Sequence, residues 1–348
     1  MSADPETPGT APGDRPDVSV VVPVRDGART LAECLEAVLA SRDVGELEVI
    51  VVDDGSRDES GEIARRLPCR ALRLETGRGP ATARNHGAAA ARGGTLVFVD
   101  ADVIVAPDTL ARLTRALETT PVAFATYAPE PLHRNLATRL YHALSVKSLR
   151  ETDARTPVAY SYCLAVGRTL FLESGGFDTR FTRAGFEDAD LGWRLTQRGF
   201  RAAHLRDVPV LHAVRYDVPG LLRAYLRKSR DLAHVLLRRR RLSLGNQGWT
   251  RRGNWVTWAA AWGVVALVPA AVLRPWPWTA LWAAAAAAFV VRGWPVWTAL
   301  SRPRRRDGVW GLLLYLVAHV VATAGMALGA FDWLAGRARS EDPCVSPE

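Results

Sequence analysis

The first two thirds of the chain alternate between two spacings of hydrophobic residues. Short runs rich in β-branched residues predict strands, and they read VSVVVPV, LEVIVVDD, CRALRL and TLVFVDAD. The segments between them have the apolar spacing of helices, which begin near Thr30, Asp58, Pro80 and Pro107. Strands that alternate with helices predict an α/β fold with a mostly parallel sheet flanked by helices. Ligands of such sheets bind beyond the carboxyl ends of the strands.

This pattern ends near Trp255, where long apolar stretches replace the alternation. The stretches Trp255–Leu273, Trp278–Leu300 and Val309–Leu334 are each about long enough to cross ~30 Å of hydrocarbon. Tryptophans crowd their ends and arginine runs flank them, as at membrane interfaces. We therefore expect about three transmembrane helices. A helical hairpin buried in a soluble protein is the alternative, because Arg292 and His319 interrupt two of the stretches.

Composition narrows the classes of protein. The 348 residues are 48% hydrophobic and carry a formal charge of +9. The arginine runs border the apolar stretches, and the N-terminal half lacks basic segments with interleaved aromatic residues. Both features favour a membrane surface over nucleic acid as the partner of the positive charge. The four cysteines have no paired short spacing, so neither a zinc cage nor a disulfide framework is expected. A reducing cytosol fits the N-terminal half.

These observations predict a division of the chain into five parts. A disordered tail covers residues 1–17, and an α/β domain covers 18–217. Residues 218–253 are predicted to form an amphipathic helix on anionic headgroups, followed by a basic linker, with a plain connecting helix as the alternative. The transmembrane helices fall within 254–335, and a second tail covers 336–348.

Two aspartates close the fourth predicted strand. Asp100 and Asp102 are separated by one residue in a turn, where their carboxylates can converge on a single point. Like charges so placed repel one another unless a cation lies between them. Oxygen ligands in this number suit Mg²⁺ or Mn²⁺ completed by the phosphates of a substrate. An ordinary aspartate-rich turn is the alternative, because this short string is common.

Four motifs occur in a fixed order along the α/β domain. They are VVVPVRDGARTLAECLEAVLAS, EVIVVDDGSRDES, GRGPATARNHGAAAARGGTLVFVDADV and GGFDTRFTRAGFEDADLGWRLTQRGF. Together they resemble a family 2 glycosyltransferase of the GT-A fold, of the membrane-anchored bacterial type, over roughly Val18 to Tyr216. A dinucleotide-binding fingerprint is excluded, because GRGPAT lacks the third glycine and opens the third helix instead of the first.

The resemblance implies roles for residues that bind the nucleotide sugar. Pro23, Asp53 and Asp54 match the positions that contact the base and ribose, although a helix-capping turn would also explain the two aspartates. Arg25-Asp26 departs from the family's usual Tyr-Asn or Arg-Asn, which leaves the base preference open. The resemblance implies that Arg84 either holds the diphosphate of the donor or braces the aspartate pair through charge-assisted hydrogen bonds.

The resemblance also implies the groups that perform the reaction. Asp188 falls where the catalytic base is expected, and Glu187 beside it would position the acceptor. Asp102 and Asp100 would hold the metal. His212 would be a third metal or diphosphate contact, with a structural histidine as an equal alternative, and Arg215 would neutralise leaving-group charge.

The function expected from this resemblance is metal-dependent, inverting sugar transfer with Mn²⁺ or Mg²⁺. The donor would be a UDP- or GDP-sugar, and the acceptor a lipid or lipid-linked molecule at the cytosolic face of the cell membrane. HAVRY replaces the Gln-x-x-Arg-Trp of processive synthases, which favours limited transfer over polymerisation. A polyprenyl-phosphate sugar synthase and a catalytically silent membrane scaffold are the alternatives, and nucleic acid is not an expected partner.

Overall fold

A computed structural model describes residues 16–183, 185–238, 252–273, 275–301 and 305–335. Most of the predicted N-terminal tail, most of the basic linker and the C-terminal tail lie outside the described residues.

Nine strands of the described chain form one mixed sheet with the order β3-β2-β1-β4-β8-β6-β9-β5, and β7 pairs with β9. The strands are β1 (Val18–Val24), β2 (Leu47–Asp53), β3 (Arg70–Arg73), β4 (Thr95–Val99), β5 (Val103–Ile104), β6 (Val122–Tyr127), β7 (Arg155–Thr156), β8 (Cys163–Gly167) and β9 (Ala202–His212). The first four pair in parallel, as the alternating pattern predicts.

Within the described residues, eight helices precede the C-terminal region. They are α1 (Ala28–Leu39), α2 (Ser60–Arg66), α3 (Pro80–Ala90), α4 (Thr109–Ala116), α5 (Leu136–Arg150), α6 (Arg168–Glu173), α7 (Glu187–Gln197) and α8 (Val218–Arg238). Local signals explain several starts. Pro80 occupies the first turn of α3, where its missing N–H costs nothing. The Asn135 side chain caps α5 by accepting a hydrogen bond from the Thr138 backbone N–H.

The second half of the sheet differs from the expected parallel arrangement. Strand β8 runs antiparallel to both β4 and β6, so it separates the parallel N-terminal strands from the β6–β9 pair. The spacing of hydrophobic residues in a strand does not depend on the direction of the strand. The direction of β8 is set by the path of the chain through α5 and β7. The short β5 then pairs antiparallel with the end of β9.

The hydrophobic core of the α/β part surrounds the central strands of the sheet. Strands β1, β2 and β4 are buried on both faces, which explains their near-continuous runs of valine. Phe98 of β4 contacts Phe171 and Phe177, with ring centroids 5.0 and 5.2 Å away. This aromatic cluster fixes the end of β4, from which the aspartate pair emerges.

The C-terminal region contains α9 (Arg252–Ala266), α10 (Val268–Leu273), α11 (Pro275–Leu300) and α12 (Arg305–Leu334). Two described helices, Pro277–Leu300 and Arg305–Leu334, are long and apolar enough to cross a membrane, whereas Val256–Ala266 is shorter. The first of the three expected stretches is therefore divided between α9 and α10. Pro269 lies in the first turn of α10, and its missing N–H cannot continue the backbone hydrogen bonds of α9.

The apolar face of α8 packs against protein in the described chain, and the placement of this helix on lipid headgroups stays a prediction. Leu221, Tyr225 and Leu232 are buried within the protein. Glycines of α12 let the two helices approach closely, since a Cβ at Gly325 or Gly329 would lie 2.4 Å from a carbonyl oxygen of α8. An amphipathic pattern shows that one face of a helix is buried. It does not distinguish burial against protein from burial against lipid.

Candidate active site

A cavity of about 440 Å³ opens where β4 and β9 end and α7 begins. Helices α5 and α8 form its other walls. Its lining includes six residues singled out from the sequence, namely Arg84, Asp100, Asp102, Glu187, Asp188 and His212. The structure thus brings together residues from four separate segments of the chain.

Arg84 joins two of the predicted carboxylates. Its Nη2 donates to Asp100 Oδ1 at 2.6 Å and its Nη1 donates to Glu187 Oε1 at 2.9 Å. Arg84 and Glu187 are each only 3% exposed, so their charges are paired away from bulk water. Burial raises the pKa of Asp100 in spite of the opposing charge of Arg84. Arg84 thus binds Asp100, one of the two aspartates of the pair, and Glu187 at the start of α7.

His212 lies beside Asp102 because β5 and β9 pair at this point. Val103 is opposite His212 in the register, and the Ala213 N–H donates to the Asp102 carbonyl at 2.7 Å. As a result, His212 Nε2 lies 3.2 Å from Asp102 Oδ2. Burial opposes ionisation of Asp102, but the hydrogen bond and charge of His212 outweigh it and lower the pKa. The Tyr127 ring stacks on His212 with centroids 4.8 Å apart.

Asp188 occupies the first turn of α7, facing the cavity. Burial and then the neighbouring Glu187 charge raise its pKa from 3.8 to about 7. The backbone N–H of Ala189, which donates to Asp188 Oδ1 at 2.6 Å, opposes this rise only in part. A carboxyl with a pKa near neutrality can accept a proton and release it again under physiological conditions.

The residues expected to bind the nucleotide lie at the carboxyl ends of β1 and β2, outside the lining of the cavity. Both oxygens of Asp54 accept backbone hydrogen bonds, from the Arg78 and Gly79 N–H groups at 2.8 Å each. Asp53 accepts from Arg73 Nη1 at 2.9 Å and from the Ser56 N–H. Pro23 pairs with Val52 in the register, and Arg25 Nη1 lies 4.0 Å from Asp54. These carboxylates order the loop and keep lone pairs for a ligand.

The side chains of the cavity supply only some of the ligands that a divalent cation needs. Asp102 and His212 present oxygen and nitrogen ligands of the kind that Mn²⁺ accepts. Asp100 keeps one oxygen that Arg84 does not hold. No three His, Cys, Asp or Glu side chains among the described residues form a group that could hold a metal ion. These residues therefore fit a cation whose coordination is completed by substrate phosphates.

Arg215 lies outside this constellation. Its side chain is exposed and does not line the cavity. Two basic residues of α8, Arg227 and Lys228, do line it. So do six tyrosines, which are Tyr127, Tyr141, Tyr160, Tyr162, Tyr216 and Tyr225. Sequence reasoning missed these residues, because basic residues in an amphipathic helix and scattered tyrosines carry no distinctive spacing.

Comparisons with known proteins identify a matching family model and similar proteins. Residues 19–170 match the family model described as Glycosyl transferase family 2. The succinoglycan biosynthesis protein ExoO of Rhizobium meliloti is 38% identical over 120 residues, which are 34% of this chain and 33% of that protein. The glycosyltransferase AglE of Haloferax volcanii is 29% identical over 210 residues, which are 58% of this chain and 68% of that protein.

A solved structure extends the likeness to the C-terminal helices. The mannosyltransferase PcManGT of Pyrobaculum calidifontis, in complex with GDP-Man and Mn²⁺, has a TM-score of 0.64. It is 24% identical, and the alignment covers 94% of this chain and 91% of that one. The order of sequence motifs, the sheet topology and the family match agree, so the matched part of this chain is a glycosyltransferase family 2 domain with the GT-A fold.

Proposed function

We propose that the protein is a metal-dependent, inverting glycosyltransferase that moves a sugar from a nucleotide-sugar donor to a lipid or lipid-linked acceptor. One observation carries this proposal. Asp188, the Asp102–His212 pair and the Arg84-bound carboxylates all line a single cavity. The cavity thus combines a proton acceptor, ligands for a cation and fixed charges, which are the parts that a direct displacement requires.

In the proposed reaction Asp188 accepts the proton of the acceptor hydroxyl. The hydroxyl oxygen forms a bond to the anomeric carbon of the sugar, while the bond from that carbon to the diphosphate oxygen breaks on the opposite face. The configuration is inverted, and the nucleoside diphosphate leaves with the bonding electrons. A pKa of about 7 suits Asp188 to this step, because a general base works best when its pKa is near the working pH.

Asp102 and His212 would hold the cation together with the phosphates of the donor. A bound Mn²⁺ or Mg²⁺ supplies charge that stabilises the departing diphosphate. Arg84 holds Asp100 and Glu187 in fixed positions, so neither carboxylate has to reorient during the reaction. The presence of Mn²⁺ in the related mannosyltransferase complex supports this proposal.

Pro23, Arg25, Asp53 and Asp54 would bind the base and ribose of the donor. Asp54 keeps lone pairs that can accept hydrogen bonds from a uracil or guanine edge. The related mannosyltransferase complex contains GDP-Man, which supports a nucleoside-diphosphate sugar as the donor class.

The acceptor would reach the cavity at the cytosolic face of the cell membrane. Helix α8 forms one wall of the cavity and packs against α12, which is long and apolar enough to span a bilayer. Arg139 of α5 adds a second connection, since it binds Asp307 at 3.1 Å and the Leu300 carbonyl at 2.6 Å. A cavity fixed to membrane-spanning helices suits an acceptor held in the lipid.

The main test is donor screening with the purified full chain. Release of nucleoside diphosphate from UDP- and GDP-sugars is measured with Mn²⁺ and a membrane lipid extract as acceptor. We expect Asp102→Asn and Asp188→Asn to abolish release, and Asp153→Asn, an exposed aspartate outside the cavity, to retain it. Unchanged transfer by both cavity variants would refute the assignment, and no nucleotide binding by the wild type would favour a silent scaffold.

A polyprenyl phosphate is the second candidate acceptor, and Lys228 and Arg227 in the cavity wall favour it. A phosphate acceptor is already ionised at neutral pH, so a proton acceptor is dispensable. Loss of activity in Asp102→Asn alone would support this acceptor, whereas loss in both variants supports a hydroxyl.

A further inference from the structure

Lys228 is a cation without a carboxylate partner inside the cavity. Its Nζ lies 3.5 Å from the Tyr141 hydroxyl and 5.4 Å from the centre of the Tyr141 ring. No carboxylate of the described chain lies within 4.0 Å of it. Its neighbours differ, because Arg230 on the same helix binds Asp332 at 2.7 Å and Lys147 on α5 binds Glu151 at 2.7 Å.

The surroundings of Lys228 hold it in place. Tyr141, beside it, contacts Tyr216 and His212, with ring centroids 4.9 and 6.0 Å apart. Behind it, α8 is fixed on α12 by the close approach at Gly325 and Gly329. Lys228 therefore projects from a helix that is packed in place, and its ammonium group lies against Tyr141.

Lys228 and the Asp102–His212 pair face the same space. Both line the cavity, and the ring of Tyr141 is near both, 5.4 Å from the lysine Nζ and 6.0 Å from the His212 ring, measured from the Tyr141 ring centre. A group bound between the lysine and a cation on Asp102 would meet positive charge from two sides.

We propose that Lys228, positioned by Tyr141, binds a phosphate oxyanion during the reaction. The site would thus take the diphosphate of the donor or a phosphate on the acceptor. The family resemblance assigns the neutralisation of leaving-group charge to Arg215, whose side chain lies outside the cavity, and Lys228 would supply this charge instead. The inference rests on the proposed sugar transfer, and it places a charge used in binding on a helix that packs against a candidate membrane span.

The test compares three variants of the full chain in detergent. Lys228→Gln removes the charge, Lys228→Arg keeps it, and Arg223→Gln removes one positive charge from an exposed position of the same helix. Binding of UDP and of GDP with Mn²⁺ is measured by calorimetry. Binding of farnesyl phosphate, with farnesol as the neutral control, is measured by tryptophan fluorescence. Thermal unfolding midpoints verify that each variant is folded.

We expect Lys228→Gln to weaken one class of phosphate ligand by about 10- to 100-fold, the effect of one charge-assisted hydrogen bond. Lys228→Arg should retain most of the affinity, and Arg223→Gln and farnesol binding should not change. A selective loss of nucleotide affinity assigns the lysine to the donor diphosphate. A selective loss of farnesyl phosphate affinity assigns it to an acceptor phosphate.

Tyr141→Phe tests the positioning role, because it removes the hydroxyl and keeps the ring. We expect a smaller loss in the same ligand class as for Lys228→Gln. If folded Lys228→Gln binds both phosphate ligands as the wild type does, the inference is refuted while the proposed function stands. If the wild type itself binds neither nucleotide, the proposed function fails first.

Discussion

The raised pKa of Asp188 connects the proposed chemistry to the stability of the fold. In the folded protein burial and Glu187 move this pKa from 3.8 to about 7. Between these two pH values the unfolded chain is ionised at this position while the folded protein still holds its proton. The raised pKa therefore costs folding free energy as the pH rises above 4, and the full cost is present above pH 7.

The size of this cost follows from the two pKa values. The difference corresponds to at most about 4 kcal/mol at pH 8, since each tenfold change in proton affinity is about 1.4 kcal/mol. The Asp188→Asn substitution replaces the carboxyl with an amide, which does not ionise and has nearly the same shape. We expect this variant to be more stable than the wild type at pH 8 by up to that amount, and about equally stable at pH 4.

The assay is denaturant unfolding of the full chain in detergent, followed by tryptophan fluorescence at several pH values between 4 and 8. Asp153→Asn is the matched control, because it makes the same change at an exposed position and should be neutral throughout. Sugar transfer by the wild type should rise with pH up to about 7, as Asp188 loses its proton. Equal stability of Asp188→Asn and wild type at pH 8 would refute the reasoning about Asp188.

Three further outcomes are expected. Arg84→Met should lower the free energy of unfolding by about 3–5 kcal/mol in denaturation experiments, because two carboxylates at the cavity lose their buried partner; an unchanged value would mean that the ion pairs contribute nothing. His212→Ala should weaken Mn²⁺ binding in the presence of UDP or GDP by at least about tenfold in calorimetry, and wild-type activity that survives chelators would contradict a metal role. Gly329→Leu should lower the unfolding free energy by about 1–3 kcal/mol, because its side chain meets the Arg230 carbonyl oxygen. Gly94→Ala, where a Cβ meets nothing within 4 Å, is its control. Equal effects of these two substitutions would show that the contact between α8 and α12 is loose.

Local patterns were sufficient for the N-terminal half of the sheet. Strands β1 to β4 and helix α3 lie where the sequence predicts them, and the other three predicted helices begin within about two residues of the expected positions. This agreement has a physical cause. Buried parallel strands need continuous apolar runs, and surface helices need apolar residues with a 3.6-residue period. The residues of each element are therefore enough to predict its type.

The site required long-range contacts that no local pattern contains. Arg84 meets Glu187 across 103 positions of the chain, and His212 meets Asp102 across 110. Each pair depends on which strands are neighbours, and the antiparallel insertion of β8 and the pairing of β5 with β9 decide this.

The amphipathic segment shows the same division between sequence and structure. Its sequence determined that α8 has one apolar face, and the tertiary structure decided that this face packs against protein and that Lys228 faces the cavity. The free energy gained by burying apolar area does not depend on which neighbour provides the cover. Sequence therefore sets what each element must bury, and only the packing of all elements together sets where it is buried and which charges it brings to the site.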